Sequence, residues 1–221
     1  MTEAAGWAGR VMVFLRVAAH VVAVNLLVVA GALAGLVLAG LFPALASGGA
    51  LLARAVAGEP SERLWRDFWS GYRSGFRRHA LLGVPFWVVG ALLTLDLVVV
   101  QAADGPVAGA MLAGLTLVGA WSAVALAHLF PVTRRTTDGL VATWRYVALS
   151  PLLSPLTGVA VLVTLAALAV VATQLTVLVP LAGLSLPLLL SGWLVDHRLD
   201  ALDELDAPAA GPVPPSPRRL G

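Results

Sequence analysis

Few side chains in these 221 residues are of a kind that does chemistry, and they lie far apart. Asp96 is the one acid predicted within a long apolar run, Leu92-Leu93-Thr94-Leu95-Asp96-Leu97. A carboxylate among hydrocarbon is costly and by default functional, as a protonatable or substrate-binding group. The competing reading is a helix-packing carboxyl near the outer interface, since no arginine falls at its depth to pair with it. Asn25, also in an apolar run, would bridge helices by hydrogen bonds or bind substrate. His20 and His128 could hold a metal only with further ligands, and neither has an acid, a thiol or a third imidazole beside it. The chain carries no cysteine, no Gly-x-Ser-x-Gly, no His-Glu-x-x-His, no Ser-His-Asp set and no phosphate-binding glycine loop. The expectation is a protein that is not an enzyme and holds no cofactor or metal.

The elements that position these residues must be helices in lipid. Hydrophobic residues make up 59% of the chain and charged ones 12%, about half the share usual in soluble domains. The mean hydropathy is +0.91 and the pI about 9.9. All basic residues are arginine, and in so apolar a chain they mark the cytoplasmic side of a membrane rather than a nucleic-acid surface. The opening, with Arg10 and Arg16 before an apolar stretch, has the outline of a signal peptide. Its stretch of about 22 residues exceeds the 7–15 of a cleaved one, so it reads as a retained first span.

The fold class is therefore all-α, a polytopic transmembrane bundle in a single domain over 1–206, with a Pro-rich disordered tail over 207–221. Crossings are predicted at about 17–42, 43–57, 80–102, 107–130, 155–173 and 176–194. Phe42-Pro43 ends or bends the first helix, and Pro131 stops the fourth crossing. The piece 43–57 is short for a span. Arg10 and Arg16 on one side of the first hairpin and the six arginines between Arg54 and Arg78 on the other can share a compartment only if this piece returns through the membrane. Small residues four apart, Gly31 and Gly35, suit close packing, within one chain or in a homo-oligomer. Both termini are then cytoplasmic, in the inner (plasma) membrane of a bacterium.

Two amphipathic helices are expected at the cytoplasmic interface, over 61–79 and 138–150. In the first, Leu64, Trp65, Phe68, Trp69, Tyr72 and Phe76 fall within an arc of roughly 140°, with Arg63, Arg66, Arg73 and Arg77 opposite. Rings among acyl chains and guanidiniums at headgroups or on a partner's acidic face would suit that pattern. In the second, Leu140, Val141, Trp144, Val147 and Ala148 share a face. A short acidic helix is expected from Asp196.

Three segments together resemble a known group. They are Asn25-Leu-Leu with Gly40-Leu-Phe-Pro43-Ala44, the belt Asp67-Phe68-Trp69-Ser-Gly-Tyr72-Arg73-Ser-Gly-Phe76-Arg77, and Leu95-Asp96 with Phe130-Pro131. Over about 20–153 the chain is similar to the YesL family of bacterial integral membrane proteins, whose biochemical role is unassigned. Here Phe68-Trp69 replaces a usual pair of phenylalanines, and the acidic, Pro-rich tail is outside the pattern. The resemblance implies an accessory protein linked to carbohydrate uptake, with the lipid bilayer and components of a sugar transporter as partners. A second resemblance runs from Asp138-Gly139 through Trp144 to Ser150-Pro151, which is similar to the cytoplasmic coupling segment of ABC importer permeases, though without the preceding Glu-Ala-Ala. It implies the alternative, a permease-like subunit that docks an ATPase there. A third reading is a carrier acting alone through Asp96.

Overall fold

The computed structural model describes residues 7–102, 104–136, 138–175 and 178–206, and everything regular among them is α-helix. The helices are α1 Trp7–Ala34, α2 Leu41–Val56, α3 Leu64–Gln101, α4 Gly105–Arg135, α5 Leu140–Leu153, α6 Pro155–Gln174, α7 Leu178–Ala182 and α8 Ser185–Asp206. Four of them, α1, α3, α4 and α6, are long and apolar enough to cross a membrane. The Pro-rich segment 207–221 lies outside the described residues.

The organising element is the short helix α2. Phe42, Ala44, Leu45, Ser47, Gly48, Leu51 and Leu52 are all buried, and α2 packs against α1, α3, α4 and α8. It runs antiparallel to α1, since Gly31 lies against Ala44 and Gly48 against Val28 and Val24. It also runs antiparallel to α3, because Gly71 meets Ser47 while Gly83 meets Phe42. From 71 to 83 α3 rises about 18 Å, whereas from 47 to 42 α2 rises about 8 Å, so the two axes cross obliquely. A helix enclosed on several sides needs only its packing to be stable, which is how 16 residues can hold the centre.

Three boundaries differ from expectation. The break after α1 falls at 35–40 and not at Phe42-Pro43. Leu36 and Val37 adopt left-handed φ values of 57° and 63° there, a conformation costing about 1–3 kcal/mol each in non-glycine residues. Pro43 instead sits in the first turn of α2, where its missing N–H would have had no intrahelical acceptor, and the first helical bond runs from Ala44 N to Gly40 O. The belt and the third crossing are one continuous helix, α3, with Pro85 inside it. Likewise Pro131 does not end α4, which continues to Arg135. α6 ends at Gln174, within the turn expected over 173–176, whose last residue lies outside the described residues. The last apolar stretch divides into α7 and α8 at 183–184, and α8 carries on through the acidic segment to Asp206.

Four arginines gather at one end of the bundle. Arg54 reaches Asp67, Arg78 donates to the carbonyls of Thr136 and Asp138, and Arg134 and Arg135 bind Asp196 and Asp200. At the opposite end the α3–α4 hairpin stands clear of the bundle, with Leu92, Leu95, Val98, Val107, Leu112 and Leu117 all exposed.

Candidate functional site

The belt at the start of α3 divides by side, as predicted, but its rings do not face outward. Phe68 is fully buried and Tyr72 nearly so. Phe68 packs on Gly31, and the Tyr72 hydroxyl donates to the Gly31 carbonyl at 2.9 Å. Trp69 and Phe76 extend this cluster as half-buried rings edge-on to Tyr72. Trp65 alone of the belt rings is exposed. The aromatic face thus clamps α3 to α1 and α2, and the expected insertion among acyl chains applies to Trp65 only.

The guanidiniums of Arg63, Arg66, Arg73 and Arg77 are exposed, and none makes a hydrogen bond or ion pair with a described residue. Asp67 shares the belt but serves as its anchor. The Ser61 hydroxyl donates to Asp67 Oδ2 at 2.6 Å and accepts from the Arg63 amide at 3.2 Å, and Arg54 approaches the same oxygen at 3.4 Å. The Ser61 hydrogen bond and the nearby Arg54 thus fix the Asp67 carboxylate at the start of α3.

Asn25 is 1% exposed, and its amide closes the gap between α7 and α8. Its Nδ2 donates to Pro180 O at 2.8 Å, and its Oδ1 accepts from Leu184 N at 3.0 Å and Ser185 N at 3.1 Å. A broken helix frees backbone groups that must be satisfied at depth, and Asn25 satisfies three of them. Its role is helix bridging, with a partner some 160 residues away in sequence.

Asp96 faces an open groove between α3 and α4, beside Leu92, Leu93, Met111 and Gly114. It is exposed and has no hydrogen-bond or ionic partner among the described residues. No polar group converges on it. His128 Nδ1 pairs with Val124 O of its own helix at 2.9 Å, and His20 is on α1. Among the described residues no group of three His, Cys, Asp or Glu side chains is close enough to hold a metal.

Asp138 and Gly139 are exposed just ahead of α5, with Arg78 on the Asp138 carbonyl at 3.1 Å. The inward face of α5 is Thr143, Val147 and Ser150. Trp144 packs on Phe86 with ring centres 5.2 Å apart. Val141 and Ala148, expected on the same face as Val147, point outward. The helix is set by hydroxyl-bearing residues facing its neighbours, which an apolar-face count passes over.

One arrangement was not anticipated. A cleft of about 270 Å³ opens between α2, α4 and α8, lined by Gly49, Leu52, Arg134, Leu188, Trp193, Asp196, His197 and Asp200 among others. A second cavity of about 160 Å³, walled by Leu126, Phe130, Leu165 and Pro187 among others, shares Gly49, Arg134, Leu188 and Gly192 with it. Arg134 is bound to Asp196 at the junction, while Arg135 reaches Asp200 at 2.7 Å. The signal was present: Asp196 and Asp200 stand one helical turn apart, matching the adjacent Arg134-Arg135.

Residues 21–97 match the family model described as "Protein of unknown function, DUF624". The matched stretch holds the second half of α1, all of α2 and α3 nearly to its end. No curated protein and no solved structure matches the chain.

Proposed function

We infer that the chain is a YesL-like protein of a bacterial inner membrane that works by contact rather than catalysis, as an accessory to carbohydrate uptake. The DUF624 match over 21–97 and the belt sequence support the family part of this reading. Six passes follow if α2 counts as a return between α1 and α3 and α7–α8 as one interrupted crossing. The clustering of Arg54, Arg78, Arg134 and Arg135 at one end favours that end as cytoplasmic, together with both termini.

The observation that carries the contact reading is the two-sidedness of α3. Phe68 and Tyr72 hold it to the bundle, which leaves Arg63, Arg66, Arg73 and Arg77 exposed with no hydrogen bond or ion pair among the described residues. Four such guanidiniums suit the acidic face of another membrane or cytoplasmic protein, or anionic lipid beside it. The test replaces all four by glutamine and measures co-purification with sugar-transporter components in mild detergent, together with sugar uptake by cells. Loss of both, with the protein still in the membrane, is the expected result. Unchanged uptake and unchanged co-purification would sink the proposal.

The alternative, a permease-like subunit, draws on the exposed Asp138-Gly139 ahead of α5. It predicts that an ATPase co-purifies and is lost on substitution of Asp138 and Gly139, while the four belt arginines are dispensable.

A further inference from the structure

We propose that the cleft between α2, α4 and α8 is a binding site for one anionic phospholipid, with its phosphate on Arg134 and an acyl chain in the cavity beyond. The cleft and the second cavity beside it, which share Gly49, Arg134, Leu188 and Gly192, make two chemically different halves. The inner one is walled by leucines, Phe130 and Pro187, and its hydroxyl, Ser191, is already committed to the Pro187 carbonyl of its own helix. Apart from Arg134, no charged side chain among the described residues lines it, so hydrocarbon fits. The outer half holds Arg134, Asp196, His197 and Asp200.

Arg134 sits where the halves meet, since it borders both. A guanidinium has five N–H donors. Arg134 uses one nitrogen on Asp196 and the other, at a long 3.4 Å, on Gly49 O, so it has donors to spare. Both acids of the outer half are already engaged, Asp196 by Arg134 and Arg135 and Asp200 by Arg135. The unsatisfied capacity is therefore for an acceptor, and phosphate matches the fork of an arginine. Asp196 and Asp200 line the cleft beside Arg134, so a phosphate would be held by the spare donors of that guanidinium and not by a net positive charge. A soluble phosphate would make no use of the apolar half, which is why the occupant is a lipid.

The cleft stays open because two of its walls are glycine. A Cβ on Gly192 would meet nothing within 4 Å, and one on Gly49 would meet only the Arg134 tip at 3.7 Å. Gly192→Phe should therefore fill the cleft without disturbing the backbone.

The test is native mass spectrometry of the full chain in detergent. Phosphatidylglycerol, diacylglycerol of the same chains and glycerol phosphate would each be added. The wild-type chain should retain one phosphatidylglycerol about tenfold more tightly than diacylglycerol, which lacks the phosphate. Gly192→Phe should lose that bound lipid, and Arg134→Gln should lose the preference. Substituting Arg63, Arg66, Arg73 and Arg77 should leave it intact, which separates this site from the docking face proposed above. Equal retention of the two lipids, normal retention by Gly192→Phe, loss on belt substitution alone, or competition by glycerol phosphate as strong as by the lipid would each overturn the assignment.

Discussion

Two parts of this molecule both contain several glycines and use them in opposite ways. In the unit built from α1, α2 and the first half of α3, glycines are contact points. Gly31 touches Ala44 and Phe68, Gly35 and Gly40 lie back to back, Gly48 receives Val28 and Gly83 receives the Phe42 ring. In the α3–α4 hairpin, Gly90, Gly109 and Gly114 have nothing within 4 Å of where a Cβ would be, and Gly119 meets only Leu93 at 4.0 Å. Small residues at helical spacing permit close approach, but approach needs a partner, and only the first region has one. The tight unit is also the part that matches the family model. The hairpin, lined with exposed leucine and valine, fits a helix pair whose neighbour is hydrocarbon.

The contrast breaks most visibly at Gly83. Any Cβ there overlaps the Phe42 ring, and that ring cannot swing away. It is stacked on Phe86 with centres 5.7 Å apart and held by Trp87 and Phe130. Gly83→Ala should destabilise by about 3 kcal/mol or more, the upper range of overpacking. Thermal unfolding in mild detergent would show this as a fall in Tm of roughly 5–10 °C. A wild-type Tm would mean that α2 and α3 do not meet as described.

Asn25 comes next and asks whether the tight unit also organises the C-terminal third. Removing its amide leaves Pro180 O, Leu184 N and Ser185 N without their partner in a buried place. Asn25→Ala should cost about 2 kcal/mol, between the small net worth of single hydrogen bonds in membranes and the larger cost of orphaned backbone groups. Protease sensitivity near 182–185 should rise at the same time. If only global stability falls and the break stays protected, the amide is packing and not a clamp.

What the sequence disclosed, and what it withheld, follows the same division. Helical class and the presence of several helices long and apolar enough to cross a membrane were readable, because hydropathy acts locally and additively. The inward turn of Phe68 and Tyr72 was not, since an aromatic face looks alike whether it meets lipid or a neighbouring helix. The continuity of α3 through Pro85 and of α4 through Pro131 was hidden for a related reason. Within a packed bundle, loss of one backbone bond is tolerated when neighbours hold the helix on both sides. The Asn25 clamp and the pairing of Arg134 and Arg135 with Asp196 and Asp200 join residues more than 60 positions apart. A single sequence states which residues could pair across such distances but not which do. Asp96 shows the converse, for a rare charge in an apolar run drew functional readings, and among the described residues no second polar group lines its groove.

The smallest effect is the most searching test of the contrast. Gly114 lies in mid-helix opposite Asp96, with open space where a Cβ would go. Replacement by alanine removes no contact and lowers the entropy cost of helix formation, worth about 0.8–1.0 kcal/mol in water. Gly114→Ala should therefore leave Tm unchanged or raise it slightly, with the same elution in size-exclusion chromatography. If the substitution destabilises the protein or shifts its oligomeric state, the groove beside Asp96 has a helix in it when the protein is in the membrane. The hairpin would then be a second close-packed region whose partner lies outside this chain. Gly109→Ala, on a more exposed stretch of the same helix, should follow whichever outcome Gly114 gives if a single long partner covers the face. It should stay silent if the contact is confined to the neighbourhood of Asp96.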